Sequence, residues 1–211
     1  MPALSDTGHL DVAYRLLLND TYPSWGYEIG KGATTIWERW NSIMPDGSFG
    51  DVSMNSFNHY AYGAVGDWMY RTVAGIRPDP ANPGYAHLTI APQPGGDIRA
   101  AKASYRSIHG TVGTDWRLDD RDQLHLAATV PGNTTATVRI PAASRHAVTE
   151  GGRPADRAEG CGSSGWTVPT RSSRSARGAT ASPSTGCSAT WARRPTRSRR
   201  RQPSPTRSKV N

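Results

Sequence analysis

Glu38 lies between Trp37 and the pair Arg39-Trp40, in a segment that opens with Gly30 and Gly32. A carboxyl group walled by aromatic rings suits sugar chemistry, because a flat ring stacks on a pyranose and partial desolvation tunes the carboxyl for acid–base work. The same residues admit a plainer reading, with Glu38 and Arg39 as a surface ion pair and the tryptophans as core. His59 stands beside Asn58 and three residues before Tyr62. There a polar pair could face a sugar or simply serve the fold. Other chemistries lack support: there is no G-x-S-x-G nucleophile turn, no P-loop and no G-x-G-x-x-G. The six histidines, His9, His59, His87, His109, His125 and His146, contain no i, i+4 pair, so no metal site and no cofactor is expected. What remains is a carboxylate site.

The elements around these residues follow from periodicity. Leu10, Ala13, Tyr14, Leu17 and Leu18 recur at helical spacing, with Ser5 or Asp6 suited to cap the helix and Asn19-Asp20 to stop it. Tyr22-Pro23-Ser24 breaks that pattern, and a Gly- and Trp-rich loop then runs through Trp40 to the turn residues Asp46-Gly47-Ser48-Phe49-Gly50. From Ser56, the positions Phe57, Tyr60, Ala61, Ala64, Val65, Trp68, Thr72 and Val73 predict a second helix that ends near Gly75. At 1.5 Å per residue it would span about 30 Å. Its Gly63 and Gly66 are expected to permit close packing against a neighbour.

After a Pro- and Gly-rich link at 77–84 the period changes from helical to alternating. Leu88 and Ile90, then Val112, Thr114, Trp116 and Leu118, then Leu124, Leu126, Ala128 and Val130, then Ala136, Val138 and Ile140 mark four strands. They are read as antiparallel, with Pro131-Gly132-Asn133 turning the last pair into a hairpin. A helical segment followed by a run of strands predicts two segregated pieces, an α+β organisation.

The formal charge of +8 misleads. Residues 1–150 hold 12 Lys and Arg against 15 Asp and Glu, a net of −3, whereas residues 151–211 hold 13 against 2, a net of +11. That last stretch has no Leu, Ile, Phe, Tyr or Met, and its apolar residues are Ala, Val168, Val210, Trp166, Trp191, Cys161 and Cys187. It is too poor in apolar surface to build a core. Three readings stay open for it: a disordered basic tail, an electrostatic binder of nucleic acid, or an out-of-frame translation of GC-rich coding DNA. Nucleic acid is the weaker of the partner readings, since Trp166 and Trp191 stand alone and no aromatic residues interleave to stack bases. No stretch approaches the roughly 20 apolar residues of a membrane helix, and no leader follows Met1, so a cytoplasmic address without a membrane partner is expected.

Three segments together carry a resemblance: Tyr22-Pro23-Ser24-Trp25-Gly26-Tyr27, the run from Gly32 through Trp40, and Ser56-Phe57-Asn58-His59-Tyr60-Ala61-Tyr62-Gly63-Ala64-Val65. They resemble the bacterial α-L-rhamnosidases of glycoside hydrolase family 78 over about residues 3–155. The resemblance implies the last helices of an (α/α)6 catalytic barrel in residues 1–78, an incomplete C-terminal β-sandwich in 79–155, and then the tail, 156–211. It implies inverting hydrolysis of terminal α-L-rhamnosides, in which one carboxylic acid protonates the leaving oxygen and another carboxylate activates water from the opposite face. Glu38 matches that family's general base and His59 a residue that contacts the bound rhamnose. The general acid lies on earlier barrel loops, ahead of this chain, and Asp6, Asp11 and Asp20 do not match it. The isolated chain is therefore expected to be inactive and to leave apolar helix faces uncovered. The rival from another class is a non-catalytic carbohydrate-binding or structural module, to which Glu38 would be dispensable.

Overall fold

The computed structural model describes residues 1–140 and 147–155, together with the backbone of 161–162, 179–181 and 187–192. Pro2 opens a short helix, α1 (Pro2–Asp6), because a residue without an N–H is tolerated in a first turn. The helix expected from Leu10 is α2 (Leu10–Leu18), and it ends where Asn19 turns extended. Its N-cap is His9; Ser5 and Asp6 belong to α1 instead. Residues read as loop form a third helix, α3 (Trp25–Gly30), held by the Ser24 hydroxyl, which accepts the Tyr27 N–H at 3.0 Å.

The second long helix is shorter and less regular than its spacing predicts. It begins with a 3₁₀ turn at Ala61–Ala64, continues as α4 (Val65–Trp68) and closes with a π turn at Met69–Val73, where the Ala74 N–H reaches back to the Met69 carbonyl at 2.8 Å. Residues 56–59 stay out of it because their backbone pairs elsewhere, with 36–38. Neither glycine is needed for close packing: a Cβ at Gly63 would meet Ile36 Cγ1 at 3.4 Å, an ordinary contact, and Gly66 faces open space.

The strands are β1 (Ile76–Pro78), β2 (His87–Ile90), β3 (Ala100–Ser107), β4 (Gly110–Leu118), β5 (Gln123–Thr129), β6 (Thr135–Val138), β7 (Thr149–Glu150), β8 (Arg153–Pro154), β9 (Cys161–Gly162), β10 (Ala179–Ala181) and β11 (Cys187–Ala192). They form two sheets, β1-β2-β6-β10-β9 and β3-β4-β5-β11-β7-β8. Pairing is antiparallel with one exception: β2 and β6 run parallel, from His87 opposite Thr135 to Ile90 opposite Val138. The expected hairpin is absent for the same reason. Pro131-Gly132-Asn133 carries the chain from β5 in one sheet to β6 in the other, so that Leu88, Ile90, Ala136 and Val138 all reach the core. Three strands, β9, β10 and β11, lie within the span expected to be a disordered tail, and there the backbone pairs with the sandwich. The other residues of that span, and Cys161 and Cys187 as side chains, lie outside the described residues.

One core joins helices to sheets. Tyr14 and Trp68 from the helical part pack with Ile76, Val112, Trp116, Leu124 and Leu126, and the Tyr14 and Trp68 rings meet edge to face at 5.3 Å. Their polar atoms are bonded: Tyr14 Oη donates to the Gln93 carbonyl at 2.6 Å, and Trp68 Nε1 donates to Ser5 Oγ at 2.6 Å. Burial pushes the Tyr14 phenol up to about 12. At the seam, Trp116 Nε1 donates to the Val73 carbonyl at 2.7 Å and Thr114 Oγ1 to the Ala74 carbonyl at 2.8 Å. Gly75 permits this closeness: its φ is +83°, and a Cβ there would lie 2.2 Å from the Pro92 nitrogen.

Candidate active site

Glu38 is delivered by a loop that is pinned at several places. The Glu38 N–H donates to the Ser56 carbonyl at 2.8 Å and the His59 N–H donates to the Ile36 carbonyl at 2.8 Å. Thr35 Oγ1 also donates to the Phe57 carbonyl. These bonds lay residues 35–38 alongside 56–59, so the two residues singled out in the sequence stand on adjacent strips of backbone. Glu38 Oε2 accepts the Ser56 N–H at 2.7 Å. One carboxylate oxygen is thereby anchored, while the other has no protein partner among the described residues. That is the geometry of a carboxylate that can take a proton from water. His59 Nδ1 accepts the Ala61 N–H at 3.3 Å, and its ring lies nearly parallel to Tyr60, 5.6 Å away.

The ion-pair reading of Glu38 with Arg39 is not realised. Arg39 Nη2 approaches Met54 Sδ at 3.5 Å, and no ion pair involves Glu38 among the described residues. The tryptophans divide between the two readings. Trp37 is core, packed edge to face with Phe57 at 5.1 Å. Trp40 is half-buried in an aromatic cluster, where Tyr62 stacks on it at 4.9 Å and 26° and Trp25 meets it edge to face at 4.9 Å. The Nε1 atoms of Trp25 and Trp40 are buried without a hydrogen-bond partner. Of the other histidines, His87 bridges Thr135 and Thr137 across β2 and β6, and His125 meets Asp119 at 3.0 Å. Both have structural partners away from this site.

Sequence reasoning missed Glu28. It lies on α3 and is only 3 % exposed. Burial raises its carboxyl from 4.5 to about 7, with the nearby Trp37 backbone pulling the other way. Its Oε1 is buried and unpartnered. Such a pKa would suit a general acid, but the carboxyl is enclosed by protein. The signal was present as Pro23-Ser24 just ahead of Glu28, a cap that makes 25–30 helical and turns position 28 inward.

A carboxylate with one anchored oxygen, an aromatic stack that includes Trp40 two residues further along, and a β-sandwich following in the chain fit a glycoside hydrolase, and the comparisons give the same class. Residues 1–73 match the bacterial α-L-rhamnosidase 6 hairpin glycosidase domain, and residues 75–154 match the bacterial α-L-rhamnosidase C-terminal domain. The chain belongs to the bacterial α-L-rhamnosidase family. It is 56 % identical over 142 residues to an α-L-rhamnosidase of Streptomyces avermitilis and 48 % identical over 138 residues to one of Formosa agariphila. These matches cover 67 % and 65 % of this chain but 14 % and 15 % of the relatives, so the chain spans about a seventh of their length. Among solved structures, the Streptomyces avermitilis α-L-rhamnosidase complexed with L-rhamnose superposes with a TM-score of 0.72 at 44 % identity, covering 90 % of this chain and 17 % of that one. The Aspergillus terreus enzyme gives 0.63 at 41 % identity, covering 67 % and 16 %.

Proposed function

We propose that this chain carries the general-base half of an inverting α-L-rhamnosidase, with the last helices of an (α/α)6 barrel in its helical part. The observation that carries this reading is Glu38, held by the Ser56 N–H through one oxygen and open through the other, beside the strip that bears His59. Glu38 takes a proton from the water that attacks the anomeric carbon. That water becomes O1 of the product, so the base also touches the released sugar. His59 donates to a rhamnose hydroxyl, and the Trp40–Tyr62 stack offers an aromatic surface in the same segment.

The general acid is supplied by a segment outside this chain. Glu28 does not replace it, being enclosed by protein. Large apolar side chains stand exposed around the site, among them Ile29, Phe49, Val52, Met54 and Tyr60, as suits helices whose partners belong to the rest of a barrel. By itself the chain turns over no rhamnoside, since loss of the acid removes a factor of ~10²–10⁴ even in an assembled site.

The test grafts residues 1–154 into the corresponding place of the Streptomyces avermitilis relative and follows hydrolysis of an aryl α-L-rhamnoside by proton NMR. The β anomer of rhamnose as first product supports inversion with Glu38 as base. The α anomer as first product contradicts it. Hydrolysis by the ungrafted chain would contradict the assignment of the acid to another segment.

A further inference from the structure

We infer that Asn55 is a positioning residue for Glu38: its side-chain amide closes a ring of backbone beside the carboxylate and so fixes the donor that aims it. The N–H that holds Glu38 Oε2 at 2.7 Å belongs to the peptide joining Asn55 to Ser56, and the Ser56 carbonyl in turn accepts the Glu38 N–H at 2.8 Å. A second tie is made where the two strips run on: Asn55 Nδ2 donates to the Ser42 carbonyl at 3.0 Å. Residues 38–42 and 55–56 are thereby joined at both ends, with Glu38 at one tie and Ser42 at the other.

The Ser42 end is held from several sides. Ser42 is fully buried, its N–H and Oγ both donate to the Arg39 carbonyl, at 3.2 and 2.9 Å, and its own carbonyl also accepts the Gly50 N–H at 2.9 Å. Gly50 comes this close because it has no side chain, since a Cβ there would lie 2.7 Å from the Asn41 carbonyl oxygen. The Asn55 end has no such support from regular structure. It follows a 3₁₀ turn at Val52–Met54 with φ −150° and ψ 60°, neither helical nor extended. Its amide therefore carries the position of Ser42 to the Ser56 N–H. Asn55 Oδ1 is buried without a partner. Turning the amide over would set that oxygen against the Ser42 carbonyl oxygen, so one orientation alone makes a bond. A side chain serving stability alone would not bury an unmet acceptor, whereas one that holds a donor in place can carry that cost.

The inference rests on Glu38 acting as the base, and the experiment keeps the two apart. The whole chain, labelled with ¹⁵N and ¹³C, is followed by NMR while pH is carried through the carboxylate range. In the wild type the Ser56 amide proton should shift with the same midpoint as the Glu38 carboxyl carbon, and exchange of the Asn55 side-chain amide should be slowed. Matching midpoints separate this response from that of Asp51, whose carboxylate is bonded to Ser53. Asn55→Ala and Asn55→Leu both remove the donor, the second with the bulk kept. Each should raise Ser56 amide exchange by about tenfold and cut the Ser56 shift that tracks Glu38 to about a third of wild type or less. The Trp116 Nε1–H resonance, in the sandwich, should stay in place in both.

A role in stability alone would lower the unfolding midpoint and leave the Ser56 response to Glu38 intact. The inference is overturned if the Asn55 side-chain amide exchanges as a free amide does, or if Ser56 tracks Glu38 undiminished in either folded variant. Should neither variant fold, the wild type is warmed while the Trp116 resonance still reports a folded sandwich. A Ser56 response that is lost as the Asn55 side-chain amide begins to exchange freely supports the inference, and one that persists overturns it. An unchanged kcat in the grafted enzyme carrying Glu38→Gln removes the base assignment alone, and the Asn55 variants still report what aims the carboxylate.

Discussion

The sandwich and the site loop treat the same residue types in opposite ways. Trp116, buried between the sheets, has its Nε1 bonded to the Val73 carbonyl. Trp25 and Trp40, in the segment that carries Glu38, bury theirs without a partner. Thr114 in the sandwich is buried and bonded, whereas Glu28 near the site is buried with one oxygen unmet. Among the described residues, the unpartnered buried side-chain atoms belong to Trp25, Glu28, Trp40 and Asn55, all in the site segment. The sandwich is built for stability. The site segment holds polar atoms at a cost the fold does not recover locally, as is usual where geometry serves chemistry.

This contrast can be broken by experiment, starting where the effects are largest. Trp116→Ala should cost about 3–5 kcal/mol through cavity formation and the loss of a seam hydrogen bond, measured by urea unfolding. Trp40→Ala should cost less, about 1–2 kcal/mol, because its ring is partly exposed and its Nε1 gives up no bond. Equal losses would erase the distinction between the two regions.

Glu28 adds a pH signature. Its carboxyl holds its proton more tightly folded than unfolded, with a folded value of about 7 against 4.5. The associated stability is therefore fully present below pH 4.5, declines as pH rises and is gone above about 7, on the order of 3 kcal/mol in all. Glu28→Gln should flatten that slope in urea unfolding between pH 4.5 and 7. An unchanged slope would mean the carboxyl is better solvated than its burial implies. Ser24→Ala should cost about 1 kcal/mol by uncapping α3, with the loss also seen as faster amide exchange at Tyr27. Smallest of all, Asp67→Asn should change unfolding by no more than about 0.5 kcal/mol, since the Asp67–Arg71 pair is exposed.

How much of this was legible depended on whether one periodicity acted alone. α2 showed its helical spacing from Leu10 to Leu18, and β4 and β5 showed theirs because alternate positions enter one core. β3 was missed because Ala100–Ser107 offers small and charged residues with no strong alternation; the strand is fixed by pairing with β4, from Ala100 opposite Arg117 to Ser107 opposite Gly110. Phe57 and Tyr60 fit a helical period yet lie outside the helix, because Ser56 and His59 spend their backbone groups on Glu38 and Ile36. At the site, Glu38 and His59 stood out by residue type and by resemblance. Glu28 did not, since a buried carboxyl becomes visible only once α3 turns it inward. The parallel pairing of β2 with β6 joins residues nearly fifty apart, and local pattern carries no trace of it.

Whether Glu38 acts as general base is decided by kcat of the grafted enzyme carrying Glu38→Gln. A fall of ~10²–10⁴ in kcat on an aryl α-L-rhamnoside is expected, with KM changed no more than severalfold, because the base acts on water and not on the bound sugar in the ground state. A kcat within about twofold of the unsubstituted graft would contradict it, being far short of what loss of a base must cost.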